Sequence, residues 1–317
     1  MLRSALSLSL MTGQPFHMVN IRGMRQKAGL KRQHLACVKA ALEVGNGAAD
    51  GAEIFSRELI FHPGEVQAGE YHIKIGGSGS TSLVAQTLLP VLVGLDQPSR
   101  LVIEGGTHNP MAPSYDFLER CFLPYLKEMG YQVAAKMESV GFAPAGGGRV
   151  EIEISPAEAL TPLWYEEAVE YQPARAEIYH YNLPEVAEVM TKLLRKKVTS
   201  INVTEAPEAE CDGMSVRLIS EIDGGVPVIT EIPAEYGLSS SNLIQKLNKG
   251  HTTRIGLNAP VCNRVADQLM LYLTQVRGSK IMTGAITNHI RTNMEVITSF
   301  LPGSISLKEE GRTELSS

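Results

Sequence analysis

SRLVIEGGTHNPMAPSYDFLERCFLP, residues 99–124, and SKIMTGAITNHIRTNMEVITSFLP, residues 279–302, follow one plan. Each opens on serine and a basic residue, runs through a short apolar strand, crosses a polar loop containing asparagine, and enters an amphipathic helix that stops at aromatic-Leu-Pro. Two such passages, far apart in the chain, indicate a repeated α/β unit. A second echo joins FHPGEVQAGEYHIKI from Phe61 to FAPAGGGRVEIEI from Phe142. Both carry Phe-x-Pro, a glycine turn and an alternating strand, and both read as the same hairpin.

Working outward, Arg32 to Val44 sets Leu35, Val38, Ala41 and Leu42 on one helical face, whereas Glu70 to Ile75 alternates Tyr71, Ile73 and Ile75 as a strand. Ser78 to Val93 reads as a helix after a glycine-rich turn, Arg100 to Glu104 as a strand, and Asp116 to Met129 as a helix. Between Ala176 and Asn258 the pattern changes. A proline-opened helix, Pro184 to Lys197, precedes strands at Ser200–Thr204, Ser215–Ile222 and Val226–Ile232 and a capped helix at Ser239–Asn248. The fold class is therefore α/β (α+β). A large domain of repeated units, 1–175 and 259–317, is interrupted by a small α/β domain at 176–258.

With 317 residues and 44% hydrophobic content, the chain is long enough to bury a substantial core. The 29 glycines and 17 prolines are scattered, as turn punctuation between many short elements is. No apolar run approaches the ~20 residues of a membrane helix, and MLRSALSLSLMTG is too short and polar for a signal peptide, so a cytoplasmic protein is expected. Cys37, Cys121, Cys211 and Cys262 lie far apart without a CxxC pair. That spacing argues against a zinc site or a disulfide framework, and predicts reduced, mostly buried thiols.

A net charge of −5 argues against a protein that coats nucleic acid. The charge is unevenly placed, however: from Met1 to Leu42 there is no acid, yet Arg3, Arg22, Arg25, Lys27, Lys31, Arg32 and Lys39 all occur. This is either a concentrated anion site or a basic patch without a role. Within it, IRGMRQKAGLKRQHL spaces Arg22, Arg25, Lys27, Arg32 and Gln33 around Gly29 and a helix start, and arginine forks there suit a triphosphate or an RNA terminus. It is not a Walker loop. GGSGST at Gly76–Thr81 precedes a helix but lacks the lysine of a P-loop.

His289 lies where the second long echo passes from strand to helix, with Thr287 or Asn288 as the cap. Backbone amides at a helix start favour anions and a neutral, nucleophilic imidazole; a hydrogen-bonded structural histidine is the plainer alternative. In EGGTHNPMAPSYDF, residues Asn109, Pro110, Pro113, Asp116 and Phe117 form either a base-stacking loop or a tight connection into a helix. No paired His or His-Cys spacing supports a tightly held transition metal. A Mg²⁺ bridged by nucleotide phosphates would leave little trace in a sequence.

LRSALSLSLMTGQPF, IRGMRQKAGLKRQHL, EGGTHNPMAPSYDF, FAPAGGGRVEIEISP, ADQL and NHIRTN stand in the order found in the RNA 3′-terminal phosphate cyclases, and the chain resembles that family through most of its length. The resemblance implies a large domain of repeated α/β units related to the enolpyruvyl transferases, with a smaller thioredoxin-like domain inserted. It implies a ligase that uses ATP and a divalent cation, Mg²⁺ or Mn²⁺, to turn an RNA 3′-phosphate end into a 2′,3′-cyclic phosphate through a histidine-AMP intermediate. His289 matches the nucleophile. Arg3, Arg22, Arg25 and Gln33 match phosphate or RNA-end contacts, while Gln86, Pro113, Asp116, Phe117, Asp267 and Gln268 match the surroundings of the nucleotide.

Two features depart from the family pattern. Members precede the (I/M)LRS motif with a strand and a carboxylate-bearing EGGGQ segment, whereas this sequence starts at Met1-Leu2-Arg3-Ser4; a start assigned at an internal methionine is the expectation. Arg264 stands ahead of ADQL where an aromatic that stacks on adenine is often found, and arginine can also stack on a base. Two other readings share this architecture: a non-catalytic cyclase-like protein of ribosome assembly, and an enolpyruvyl-transferase-like enzyme.

Overall fold

The computed structural model describes residues 1–110, 112–234, 238–309 and 313–317; Met111, inside the first long echo, lies outside them. The first part of the chain runs α1 (Leu2–Thr12), β1 (Phe16–Met18), α2 (Arg32–Gly45), β2 (Ala48–Asp50), β3 (Leu59–His62), β4 (Glu70–Lys74), α3 (Thr81–Leu92) and β5 (Ser99–Gly105). Next come α4 (Tyr115–Phe117), a π turn over Leu118–Phe122, α5 (Leu123–Glu128), β6 (Gln132–Ser139), β7 (Gly148–Ser155) and β8 (Trp164–Tyr165). Then follow β9 (Arg175–Tyr181), α6 (Pro184–Leu194), β10 (Ile201–Glu205), β11 (Gly213–Ser220), β12 (Val228–Pro233) and α7 (Ser240–Ile255). The chain closes with α8 (Asn263–Leu273), β13 (Lys280–Thr283), α9 (Asn288–Phe300), β14 (Ser306–Glu309) and β15 (Thr313–Ser316).

The strands form mixed sheets. In the order β4-β5-β7-β6, only β4 and β5 are parallel, because α3 carries the chain back across the sheet between them. Leu101, Val102 and Ile103 of β5 are all buried, as a strand covered on both faces requires. The α1 helix is buried almost throughout and packs on α3, α9 and α2. Its serines do not offend the core: Ser7 donates to the Thr87 carbonyl at 2.7 Å, leaving no buried hydroxyl unpaired there.

The sheet β10-β9-β11-β12 builds a separate apolar cluster with α6 and α7, from Ile178, Met190, Leu194, Val216, Leu218, Leu243 and Leu247. Each fully buried aliphatic there contributes about 1.5–3 kcal/mol. Alternation along β11 sends Val216 and Leu218 into this cluster and Ile219, one step on, into the large core. Strand periodicity thus seats the 176–258 segment against the rest of the chain.

Most elements fall where the sequence places them, and three do not. The Phe61 and Phe142 echoes are not one hairpin used twice: β3 lies in the sheet β1-β3-β2 and β4 in another, whereas Phe142 lies in the turn of the true hairpin β6-β7. Local likeness cannot choose strand partners, since pairing is decided by which edge is free. Pro124 does not stop its helix as the aromatic-Leu-Pro pattern of the echo implies, and the helix expected from Asp116 to Met129 runs through it. The π turn ahead of it absorbs the lost hydrogen bond, and the helix continues to Glu128, while Pro302 in the second long echo does follow the helix end. The helix read as Ser239–Asn248 extends to Ile255, because His251 is buried against Ser220 at 2.9 Å and Thr230 at 3.0 Å and so gives its polar last turns an anchor.

Among the described residues no disulfide forms; Cys37, Cys121 and Cys262 are buried and Cys211 half-buried, all as free thiols. No helix among them is long and apolar enough to cross a membrane.

Candidate active site

Thr287 accepts a hydrogen bond from the Ile290 amide at 3.2 Å, so the cap of α9 is Thr287 and the exposed His289 is the second helical residue. The loop before it is pinned. Asn263 of α8 donates to the Ala285 carbonyl at 2.5 Å, and a side chain at Gly284 would push against the Asn263 amide and disturb that bond. His289 thereby stands at a cavity of about 550 Å³ walled by Lys246, Lys249, Thr253 and Arg254 of α7, by Asn263, Arg264 and Asp267 of α8, and by Thr287.

Behind Asp267 a recess of about 40 Å³ joins Arg3 and Ser4 of α1, Gln86 of α3, Gln268 of α8 and Asn293 of α9. Gln86 donates to Gln268 at 2.6 Å, Ser4 donates to Asn293 at 2.7 Å, and Asn293 donates to the Asp267 carboxylate. Four helices are thus cross-linked by uncharged groups around one carboxylate. Burial pushes the Asp267 carboxyl up, with His289, Asn293 and Arg3 pulling the other way.

The cavity is electropositive. Burial, and then repulsion by Arg264, weaken the hold of Arg254 on its charge. Among the described residues neither arginine forms an ion pair: Arg254 donates to the Ile229 carbonyl at 3.4 Å, and Arg264 lies over the Phe117 ring at 5.6 Å. Two neighbouring cations left without a carboxylate are a poor arrangement until an anion joins them. A cavity of similar size, about 560 Å³, lies between β6 and residues 207–210, but its walls carry Glu138, Glu208 and Glu210, and among the described residues the one arginine at them, Arg149, is paired to Glu138, so the opening is acidic and repels phosphate.

A family model described as RNA 3′-terminal phosphate cyclase matches residues 1–307. The RNA 3′-terminal phosphate cyclase of Ectopseudomonas mendocina is 38% identical over 310 residues, covering 95% of this chain and 89% of its own. That of Koribacter versatilis is 35% identical over 314 residues, covering 98% and 88%. The chain belongs to the RNA 3′-terminal phosphate cyclase family. Two solved structures of EPSP synthase from Acinetobacter baumannii align over 99% of the chain at 12% identity, with TM-scores of 0.41 and 0.42 and coverage of 44% and 45% of those chains.

Of the residues matched to cyclase motifs, Arg3, Gln86, Asp267, Gln268 and His289 converge on the cavity and its recess. Gln33 lies on another element and clamps the glycine-rich loop to α2, accepting from the Ser80 amide and donating to the Ser80 carbonyl at 3.2 Å. Arg22, at φ 53°, donates to the carbonyls of Lys27 at 2.6 Å and Gly29 at 3.3 Å, so it braces its own loop. Arg22 and Arg3 also act on His34 of α2: burial first, then Arg22, Arg3 and Lys31, hold that imidazole at about 4 and therefore neutral at ordinary pH. Arg25 is exposed.

Pro113 and Phe117 are buried, and Phe117 reaches the cavity through Arg264. Asp116 is otherwise engaged. His108 Nε2 is 2.8 Å from Asp116 Oδ2, and Arg217 of β11 pairs with Asp116 and lies 3.6 Å from Glu177. Burial pushes the Asp116 carboxyl up, but His108 and Arg217 outweigh it and hold it well below the usual range. Donor atoms of His108, Asp116 and Glu231 lie within 4.8 Å of one another, a spacing that suits a cation, yet the buried Arg217 already supplies that charge. Sequence reasoning missed Lys246, Lys249, Arg254 and Asn293. Only Asn293 carried a signal, four residues after His289 on the same helical face.

Proposed function

We propose that this protein converts an RNA 3′-terminal phosphate to a 2′,3′-cyclic phosphate at the expense of ATP, with His289 as the residue that carries AMP between the two substrates. A His289 ring nitrogen attacks the α-phosphorus of ATP, the bond to the β-phosphate oxygen breaks, pyrophosphate leaves, and an N–P bond forms. An oxygen of the RNA 3′-phosphate then displaces His289 from that phosphorus. Finally the adjacent ribose 2′-OH loses its proton and attacks the 3′-phosphorus, closing the ring and expelling AMP. The observation that carries this reading is an exposed histidine at a helix start, opening on a cavity whose arginines form no ion pair among the described residues, in a chain of the cyclase family.

Arg3, Arg22, Arg25 and Gln33 are proposed to bind phosphates, directly or by shaping the α2 loop, and Gln86, Pro113, Phe117, Asp267 and Gln268 to surround the nucleotide. Asp116 is proposed to act through Phe117, by fixing the start of its helix. A divalent cation, Mg²⁺ or Mn²⁺, would find Asp267 as a carboxylate ligand here and would screen charge on the phosphates. Residues 176–258 are read as an inserted domain that supplies the α7 wall. The test is incubation with α-labelled ATP: acid-labile, alkali-stable label should appear on the protein and should be discharged by a 3′-phosphorylated oligoribonucleotide, not by one ending in a 3′-OH. Absence of label would overturn the reading.

A further inference from the structure

The reaction above concerns the last nucleotide of a strand, yet the α7 wall of the cavity also carries lysines to which that chemistry assigns no part. Lys246 and Lys249 are exposed on α7, three residues apart and so on neighbouring positions of one face, and Thr253, one helical turn beyond Lys249, continues that face into the cavity. Among the described residues neither lysine forms an ion pair. Arg254 follows from the same helix. The opposite wall carries His289 and, as its carboxylate, Asp267. Placing Lys246, Lys249 and Arg254, with Arg264 of α8, around one opening raises the potential there and costs stability while the site is empty. An ordinary solvated helix face mixes signs instead, as Glu188 and Lys192 do on α6 at 2.7 Å.

We propose that the α7 face formed by Lys246, Lys249, Thr253 and Arg254 holds the phosphodiester backbone of the RNA strand and leads its 3′ end to His289. The inference rests on the adenylation reading of His289 and adds where the strand lies. Two phosphate-bearing ligands reach this cavity, ATP and RNA. An extended row of point charges on flexible stems matches a repeating backbone better than a single triphosphate, which favours forked arginines. The fold assigns this row to the 176–258 segment, so that segment grips RNA while the larger unit carries the nucleophile.

The experiment measures binding of a fluorescent, 3′-phosphorylated oligoribonucleotide to the full chain without ATP, across about 0.05 to 0.2 M salt. Lys246→Ala with Lys249→Ala should weaken binding roughly ten- to thirty-fold near 0.1 M salt and make the logarithmic salt slope shallower by about 1.4, the share of two phosphate contacts on a single strand. Lys196→Ala with Lys197→Ala, a control on exposed lysines elsewhere in the same segment, should change neither. Unchanged RNA affinity in the α7 variant overturns the proposal. So does a raised KM for ATP in self-labelling with RNA affinity intact, which would assign the lysines to the triphosphate. A native protein that takes no label from ATP overturns the adenylation reading itself; one that labels while its RNA affinity ignores Lys246 and Lys249 overturns this inference alone.

Discussion

The two long echoes end in helices that start alike. Ser114 caps α4 by accepting from the Phe117 amide at 3.2 Å, and Thr287 caps α9 by accepting from the Ile290 amide at 3.2 Å; the second helical residue is Asp116 in one and His289 in the other. The local frames match, but the outcomes differ. Asp116 is enclosed by His108 and Arg217, its charge answered within the protein. His289 faces a cavity whose arginines have no carboxylate of their own among the described residues. A repeated α/β unit therefore offers the same position twice, and what the neighbouring segments bring to it separates a closed ionic joint from an open anion site.

The comparison breaks most sharply at His289. Replacement by Asn should lower self-adenylation by roughly 10³-fold or more while leaving the melting temperature within error, because the ring is exposed and holds nothing together. Retained label on the Asn variant would move the nucleophile elsewhere. The matching change on the closed side, Asp116→Asn, should behave oppositely. It leaves Arg217 buried with Glu177 at 3.6 Å as a weaker partner, and denaturant titration should show a loss of about 3 kcal/mol. A stable Asp116→Asn protein would mean that the joint between β11 and α4 is not what holds Arg217.

The two sites should also titrate at opposite ends of the acid range, which carboxyl NMR shifts would follow. Asp267 is raised by burial, so the folded state binds its proton more readily than the unfolded state does; its contribution favours folding at low pH and is lost as pH rises through the folded value. Asp116 is depressed by His108 and Arg217 against burial. Its contribution is present above the ordinary carboxylate range and is lost only as pH falls through the folded value. Asp267 should therefore protonate well before Asp116 on acidification, and the reverse order would contradict the pairing described. The smallest effect concerns the caps. Ser114→Ala and Thr287→Ala should each cost about 1 kcal/mol in thermal or chemical unfolding. Only Thr287→Ala should also slow adenylation, since only that cap orients a proposed reacting group.

Much of this frame is readable in the sequence because it is local. A period of two marks β4 and a period of 3.6 marks α2 and α9, and the cap residue before His289 is one of two candidates on chemistry alone. Where a local signal has to choose a distant partner, it fails. The Phe-x-Pro echoes share letters but pair with different sheets, and Pro124 is spared as a helix stop by a π turn that no propensity announces.

What the sequence by itself determined is the kind of unit, its repetition, a change of pattern from about residue 176, and a set of cyclase motifs whose Arg3, Gln86, Asp267, Gln268 and His289 meet at one place. What only the tertiary structure decided is the state of each charge. Asp116 and Arg217 are 101 positions apart, and nothing local says that one will answer the other. Lys246, Lys249 and Arg254 read as an ordinary polar helix until α7 is set beside α8 and α9. Electrostatic free energy depends on distance through space and on exclusion of water, and folding creates both where sequence separation carries no record of either.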